Sequence, residues 1–213
     1  MLFRSEDVVG GAGIVASHLK SAGAKVILST VVGDDELGRF SISKMKSLGI
    51  ECNTIIDNNR PTVNKNAVIV HDYRLLKIDT LDNQSISNTH VDELCAHIGK
   101  SDSDAVIFSD FRHGIFNRRT LDKLLNSIPE GSFKVADSQV ASRWGNILDF
   151  KGFDLITPNE REARFSLGDQ DSGIRTLSAE LFEKSRCSAL IMKLGDRGII
   201  TTSSLDNSTL DSY

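Results

Sequence analysis

Cysteine is scarce in this sequence, and long hydrophobic runs are absent. The 213 residues include three cysteines, Cys52, Cys95 and Cys187, which lie far apart and form no C-x-x-C pair. This spacing argues against a zinc site or a disulfide framework and favours a reducing cytoplasm. No apolar stretch approaches the roughly 20 residues that a transmembrane helix needs. The charged residues near the start also argue against a signal peptide.

Concentrated positive charge is missing as well. The formal net charge is −4, the pI is about 5.7 and no basic run stands out, which argues against nucleic acid as the main partner. The sequence contains neither a G-x-x-x-x-G-K-[ST] loop nor a G-x-S-x-G elbow, so these nucleotide-binding and hydrolase classes gain no support. The five histidines show no metal-ligand spacing: His18, His71, His90, His97 and His113.

Apolar and charged residues are balanced as in a globular domain. Hydrophobic residues make up 39% and charged residues 25% of the chain, which is enough to build a core. Short apolar runs alternate with amphipathic segments, a pattern that predicts βαβ units and a mainly parallel sheet with helices on both faces. The expected strands are 25–32, 105–109, 134–136, 153–156, 189–193 and 198–202, and the expected helices 14–22, 35–48, 91–98, 117–127 (with Asn117 as cap), 159–167 and 176–185.

The segment from about 50 to 82 has a different character. Short β-like stretches at 54–56, 67–71 and 75–80 are separated by turn residues, which predicts a small antiparallel β insert that forms a lid. Its edge strands favour a homodimer, and light scattering that shows a monomer at high concentration would contradict this. The polar tail, 203–213, is expected to be weakly structured.

The stretch from Asp154 to Glu162 predicts a buried strand that runs directly into a helix. Thr157 is expected to cap this helix, with Pro158 at its first position and Glu160 three residues after the cap, a capping box. Helix N-terminal amides favour an anion nearby. Asn159 and Glu162, three residues apart, are expected to face the same way.

Three predicted strands end at polar groups. These are Asp110, Asp137 and the junction Thr157–Asn159. Because parallel strands in such sheets end at one edge, these groups are expected to converge on one cleft.

Two glycine patterns leave alternatives open. Gly11-x-Gly13-x-x-Ala16 fits a dinucleotide fingerprint, which keeps an NAD-binding Rossmann oxidoreductase as a lesser hypothesis. Few apolar residues precede it, and close helix packing explains the glycines equally well. The segment 193–198 is either a hairpin turn or a flat surface for a nucleotide. Arg143 with Trp144 is either a stacking pair or a structural tryptophan.

Taken in order, these pieces resemble the ribokinase-like (PfkB) family of carbohydrate kinases. Gly10-Gly11-Ala12 opens a helix, Gly33-Asp34-Asp35-Glu36-Leu37-Gly38 fits G-x-D-x-x-G, and Asn159-Glu160-Arg161-Glu162 fits N-x-x-E. Within the family, the chain looks most similar to the kinase domain of bacterial D-glycero-D-manno-heptose-7-phosphate kinases, which serve lipopolysaccharide synthesis. The residues that carry this likeness are Gly10–Gly13, Arg60-Pro61-Thr62, Leu75–Asp79 and Ser109-Asp110-Phe111.

The resemblance implies a single ribokinase-like α/β domain over 1–213 with a β lid, and transfer of phosphate from ATP to a sugar or sugar phosphate. It implies Mg²⁺ held through water by Glu162. The implied nucleotide residues are Asn159, Glu160, Arg161, Glu162, Lys193, Gly195 and Gly198, and the implied sugar residues are Gly10, Gly11, Asp35, Arg60, Lys65 and Asp137.

The sequence departs from the family pattern at both ends. The family carries its general base in a G-A-G-D motif near the C-terminus, and no such motif precedes Tyr213. The family's first strand, with a substrate-binding Asp, has little room before Gly10, and Ile14 stands where heptose kinases tend to carry Asn. The expectation is a partial domain whose base lies beyond Tyr213. The alternative is a non-catalytic nucleotide- or sugar-binding remnant of the same fold.

Overall fold

The computed structural model describes residues 5–71, 73–139, 147–203 and 208–211. Two compact units divide them. The first contains the described residues up to Ile98 together with His113–Ile115, and the second contains Gly99–Arg112 and the described residues from Phe116 onward. Compactness alone does not define an independently folding domain, so the single-domain organisation stays a prediction.

The first unit is built around a two-stranded parallel sheet. Its elements are α1 (Ala12–Ser21), β1 (Ile27–Gly33), α2 (Glu36–Ser47), β2 (Glu51–Asp57), β3 (Asn64–Val70), β4 (Tyr73–Thr80) and α3 (Asn88–Gly99). Helix α2 supplies the crossover that a parallel β1–β2 pair requires. Ala16, Met45 and Ile50 form a buried cluster where α1 and α2 meet this sheet.

The β insert is smaller than the sequence predicts. Its first expected strand is part of β2, which pairs in parallel with β1 and not with the insert. The antiparallel part is the β3–β4 hairpin alone. Placing the boundary near 50 was therefore wrong, because the buried Ile55 anchors β2 in the first unit's sheet.

The β3–β4 hairpin has two chemically different faces. Val68 lies opposite Leu76 on one face, and both side chains are exposed. On the other face Lys65 lies opposite Asp79, which also pairs with Lys77. An isolated two-stranded hairpin is marginally stable, so the exposed apolar face supports the predicted homodimer, which stays a prediction.

The second unit contains a six-stranded sheet in the order β10-β9-β8-β7-β6-β5. Its elements are β5 (Ala105–Asp110), α4 (Leu121–Asn126), β6 (Phe133–Ser138), a 3₁₀ turn (Ile147–Asp149), β7 (Leu155–Ile156), α5 (Glu160–Leu167), α6 (Ile174–Ser185), β8 (Ala189–Lys193), β9 (Ile199–Thr202) and β10 (Ser208–Asp211). Strands β5 to β8 are parallel, and β9 and β10 are antiparallel. This confirms the mainly parallel sheet.

Two local expectations for the second unit were wrong. The tail contains β10, because its backbone pairs with β9 despite its polar sequence. Helix α4 begins after Thr120, and Asn117 does not cap it. The Asn117 side chain instead accepts a hydrogen bond from the backbone N–H of Arg119 at 2.9 Å, which forms a turn before the helix.

Aromatic and aliphatic side chains fill the core of the second unit. Phe108, Phe150 and Phe153 are buried, and the rings of Phe108 and Phe153 have centroids 5.6 Å apart. Helix α6 contributes the fully buried Leu177 and Leu181. This packing holds the C-terminal ends of β6, β7 and β8 in fixed positions, and the candidate site lies at these ends.

Candidate functional site

The strand–helix junction after β7 forms a capping box, two residues later than the sequence predicts. Asn159 caps α5: its Oδ1 accepts from the Glu162 N–H at 2.8 Å, and Glu162 Oε2 accepts from the Asn159 N–H at 2.7 Å. Thr157 and Pro158 lie before the helix. Pro158 O accepts from Lys193 N–H at 2.8 Å, so the chain still follows β8 at this point.

The ends of three parallel strands meet at one carboxylate. Asp137, on β6, accepts a hydrogen bond from the Thr157 hydroxyl at 3.0 Å. It also forms an ion pair with the Lys193 ammonium at 2.8 Å. Asp110, at the end of β5, accepts from the neighbouring Ser138 hydroxyl at 3.3 Å. Asp137 and the junction therefore lie in contact, as expected, whereas Asp110 is buried beside the neighbouring strand, so the convergence of all three groups on one cleft stays a prediction.

The turn between β8 and β9 is a hairpin that depends on glycine. Gly195 and Gly198 have φ values of 67° and 86°, a region that residues with a side chain adopt at a cost. The Leu194 N–H donates to Gly198 O at 2.8 Å. The hairpin interpretation is therefore confirmed, and the turn places backbone beside the start of α5.

An open depression of about 570 Å³ lies between the start of α5 and this turn. Five of the seven predicted nucleotide residues line it: Asn159, Glu160, Arg161, Lys193 and Gly195. Glu162 is buried beneath it in the capping box. Gly198 closes the turn behind it.

Four further residues line the depression and were missed from the sequence: Arg164, Phe165, Gln170 and Leu194. Arg164 carried a usable signal, because it lies four residues after Glu160 and such pairs face each other on a helix. Phe165 and Gln170 lie in the second turn of α5 and in the loop that follows, where no motif marks them. Leu194 lies in the marked segment 193–198, but the sequence did not single it out as a nucleotide residue.

Two guanidinium groups surround the carboxylate of Glu160. Arg164 donates from Nε and Nη2 to Oε1, both at 2.9 Å, and Arg197 donates from Nη2 to Oε2. Partial burial alone would raise the pKa of Glu160, but the hydrogen bonds and charges of the two arginines outweigh it. The pKa therefore lies below its ordinary value, and Glu160 is ionised at neutral pH.

The residues at this junction fit a magnesium ion that is held mainly by water and phosphate. Among the described residues, no group of three or more His, Cys, Asp or Glu side chains is arranged to hold a metal. Glu162 supplies one buried carboxylate at the helix start. Mg²⁺ commonly binds through one or two carboxylates together with waters and substrate phosphates, so a single carboxylate is sufficient.

The glycine and aspartate residues of the first unit serve local structure. Gly11 precedes α1 with φ 56°, and Gly10 O accepts from Gly13 N–H at 3.1 Å. Asp35 caps α2: it accepts from Gly38 N–H and from Thr62 N–H, both at 2.7 Å. Burial opposes ionisation, yet these hydrogen bonds hold the pKa of Asp35 below its ordinary value.

The G-x-D-x-x-G motif packs closely against the loop that carries Arg60 and Thr62. A Cβ on Gly33 would lie 2.5 Å from Arg60 O, and one on Gly38 would lie 2.5 Å from Gly33 O. The Thr62 hydroxyl accepts from Gly33 N–H at 2.9 Å. Both glycines are therefore required by close backbone approach, whatever ligand Asp35 meets.

Arg60, which the sequence placed in the β insert of about 50–82, lies in the loop between β2 and β3 and so outside the β3–β4 hairpin. Its guanidinium is buried, donates to Asp57 at 3.1 Å, and donates to the carbonyl oxygens of His113 and Gln84 at 3.1 and 2.9 Å. Lys65 is exposed on β3. Arg60 thus fixes a loop, and a sugar-phosphate role for both residues stays a prediction.

A buried ionic cluster connects β5, β6 and the 3₁₀ turn. Arg112 donates to the Ser138 hydroxyl at 2.7 Å, lies 3.0 Å from Asp110 Oδ2 and approaches Asp149 at 3.9 Å. Burial raises the pKa of Asp110, and the positive charge of Arg112 partly offsets this. Arg112 itself has φ 61°, an uncommon conformation for a residue with a side chain.

Two interpretations of the sequence gain no support from the described residues. Arg143 and Trp144 lie outside the described residues. The dinucleotide pattern at Gly11 opens α1, but the described residues 5–10 form no strand before it. A Rossmann turn follows a buried strand, so the oxidoreductase hypothesis gains no support from this segment.

Two bacterial proteins with the same name are similar to this chain in sequence. Bifunctional protein HldE from Sulfurimonas denitrificans is 28% identical over 163 residues, which cover 75% of this chain and 34% of that protein. HldE from Desulfatibacillum aliphaticivorans is 28% identical over 204 residues, which cover 92% and 41%. The chain therefore spans about two fifths or less of the length of these relatives.

Solved structures share the architecture at low sequence identity. The tetrameric inhibited form of phosphofructokinase-2 from Escherichia coli matches with a TM-score of 0.76 at 15% identity, covering 98% of this chain and 72% of that one. Ribokinase from Giardia lamblia matches with a TM-score of 0.74 at 16% identity, covering 93% and 67%. These likenesses confirm the predicted ribokinase-like α/β fold.

Two further findings concern membrane-spanning helices and the protein family. Among the helices that the structure describes, none combines the length and apolar composition needed to span a lipid bilayer. The family model for pfkB family carbohydrate kinases matches residues 4–211. Because that match covers nearly the whole sequence and confirms the family predicted from its motifs, the chain belongs to the pfkB family of carbohydrate kinases.

Proposed function

We propose that the chain is the kinase part of an ATP-dependent sugar kinase, which transfers the γ-phosphate of ATP to a hydroxyl of a sugar or sugar phosphate. One observation carries the proposal. The capped N-terminus of α5 lies beside Lys193 and Gly195 in a single depression, at the C-terminal ends of parallel strands. Ligands of open α/β sheets bind at such ends.

The depression supplies the groups that a polyphosphate requires. The N-terminus of α5 carries a partial positive charge, and the side chains of Lys193, Arg161 and Arg164 bring cations to its rim. The backbone of the Gly195–Gly198 turn lets a nucleotide approach closely. Glu162 would hold Mg²⁺ through water, and the ion would neutralise charge on the phosphates.

A sugar phosphate is the proposed acceptor, and heptose 7-phosphate is the specific candidate. In support, the chain is similar to proteins named HldE, and its motifs resemble heptose-7-phosphate kinases. Gly10, Gly11, Asp35, Arg60 and Lys65 are the proposed sugar residues of the first unit, with Asp137 from the second. Of the two cations, Lys65 is the exposed one. No catalytic base is assigned.

Acceptor-dependent ADP formation tests the proposal. With MgATP present, and with a G-A-G-D segment of the family supplied after Tyr213, we expect ADP to form with heptose 7-phosphate and at least about tenfold more slowly with the unphosphorylated heptose, because a phosphate contact by a cation contributes on the order of 1.4 kcal/mol. Binding of MgATP without ADP formation from any sugar or sugar phosphate would favour the alternative, a non-catalytic nucleotide-binding protein of the same fold.

A further inference from the structure

The two arginines that surround Glu160 differ in exposure and in hydrogen bonding. Arg164 belongs to α5, is largely buried and also donates to Ser172 O at 3.1 Å. Arg197 belongs to the β8–β9 turn, and 57% of its side chain is exposed. Arg164 is therefore held by two acceptors, whereas Arg197 reaches Glu160 from an exposed turn.

The position of this pair matters because it joins the two elements that line the depression. Glu160 is the first residue of α5 and lines the depression, and Arg197 lies two residues after Gly195, which lines it from the other side. A polyphosphate bound there would bring several negative charges close to Glu160. Like charges in contact repel, so the site needs a way to compensate the carboxylate.

The geometry already contains that compensation. One oxygen of Glu160 is occupied by Arg164 through two donors, and the other is occupied by Arg197. Glu160 with both arginines carries a net charge of +1. If Arg197 leaves, Arg164 still neutralises the carboxylate, and a guanidinium becomes available for a phosphate, which it can bind through two parallel hydrogen bonds.

Little free energy opposes this exchange. Exposed ion pairs contribute little to stability in water, whereas a charge-assisted hydrogen bond from arginine to phosphate is among the stronger polar contacts. We propose that Arg197 is a phosphate-binding residue of the nucleotide site, and that Glu160 binds it in the free protein until a polyphosphate replaces the carboxylate. The inference rests on the proposed function and adds a side-chain role for Arg197 in the 193–198 turn, where the resemblance implied only Lys193, Gly195 and Gly198.

Calorimetric titration with MgATP at low salt tests the exchange. Arg197→Gln should weaken binding about tenfold, because it removes a charged phosphate ligand. Glu160→Gln should tighten binding about fivefold, because it removes the competing acceptor. In the Arg197→Gln background the same Glu160→Gln change should alter the affinity less than about twofold, since no arginine remains to be released.

Matched controls separate this from a general effect of charge. Glu180→Gln removes an exposed carboxylate that pairs with Lys184 on α6, and Arg119→Gln removes an exposed arginine of the same unit. Neither residue lines the depression, and both variants should bind MgATP as the wild type does. Arg197→Gln should weaken the binding of inorganic tripolyphosphate as much as it weakens the binding of MgATP. It should leave the affinity for adenosine unchanged.

Each remaining outcome overturns the inference. If Glu160→Gln tightens binding equally with and without Arg197, simple repulsion explains the effect. If Arg197→Gln leaves the affinity for MgATP unchanged, or weakens the binding of adenosine as much as that of MgATP, Arg197 is not a phosphate ligand. If the wild type binds MgATP and only these variants fail to behave as expected, the proposed function stands. If the wild type binds no MgATP, both proposals are wrong.

Discussion

Arg112→Met is expected to lower the free energy of unfolding by about 3–5 kcal/mol at neutral pH. The substitution keeps an unbranched side chain of similar length but removes the cation that lies between Asp110 and Asp149. A buried carboxylate that loses its partner becomes an uncompensated charge in the protein interior. Urea unfolding followed by circular dichroism measures the change.

The pH dependence of this loss provides a sharper test. The pKa of Asp110 is already raised by burial, and without Arg112 it should rise further. A carboxyl group with a raised pKa contributes stability below about pH 4, where the unfolded chain titrates, and loses that contribution as pH rises through the folded-state pKa. The deficit of the variant should therefore be small near pH 4 and grow towards pH 8.

Two further variants serve as controls for Arg112→Met. Arg119→Met makes the same chemical change at an exposed position and should alter stability by less than about 0.5 kcal/mol. Adding Asp110→Asn to Arg112→Met should restore part of the lost stability, since the unpaired charge is removed. A deficit that is equal at pH 4 and pH 8 would contradict the buried-charge explanation.

Gly114→Ala is the second substitution with a large expected effect. Gly114 has φ 91°, and an added Cβ would overlap the carbonyl oxygen of Gln84. The same carbonyl accepts from Arg60, and Gly114 O accepts from Ile86 N–H at 3.1 Å. The chain cannot move at one of these contacts without breaking the others, so we expect a loss of more than about 3 kcal/mol in stability.

Gly23→Ala is the matched control for this prediction. Gly23 lies in the same unit and has φ 97°, but a Cβ there would meet no heavy atom within 4 Å. The control therefore measures the cost of the backbone conformation alone, about 1–2 kcal/mol. Equal losses for the two variants in urea unfolding would show that the close approach to Gln84 does not matter.

Periodicity and turn chemistry were sufficient to predict most of the architecture. The strand–helix alternation, the hairpin at Lys193–Gly198 and the convergence of strand ends all depend on local rules. The capping box was placed two residues early, because Thr157 and Asn159 are both good caps. Only the tertiary contacts, in which Asp137 binds Thr157 and β8 holds Pro158, decide between them.

The site contacts that the sequence could not predict are those between distant residues. Lys193 and Asp137 are 56 residues apart, and Arg197 and Glu160 are 37 apart. No periodic pattern joins such pairs. The boundary of the β insert was wrong for a related reason, because β2 alternates like an insert strand and only its pairing with β1 shows which sheet it joins.

The measurement that tests the central claim most directly is a calorimetric titration with MgATP of the wild type, Asn159→Ala and Asn117→Ala. Both asparagines form local side-chain hydrogen bonds in the second unit, but only Asn159 lines the depression. Removing a helix cap costs about 1 kcal/mol of stability. Thermal unfolding of both variants therefore checks that each remains folded at the temperature of the titration.

We expect saturable binding of MgATP by the wild type and by Asn117→Ala, and binding at least about tenfold weaker for Asn159→Ala while it remains folded. That result would place the nucleotide at the start of α5. Equal affinity of all three proteins would contradict this site, and absence of binding by the folded wild type would contradict the proposed kinase function of this chain.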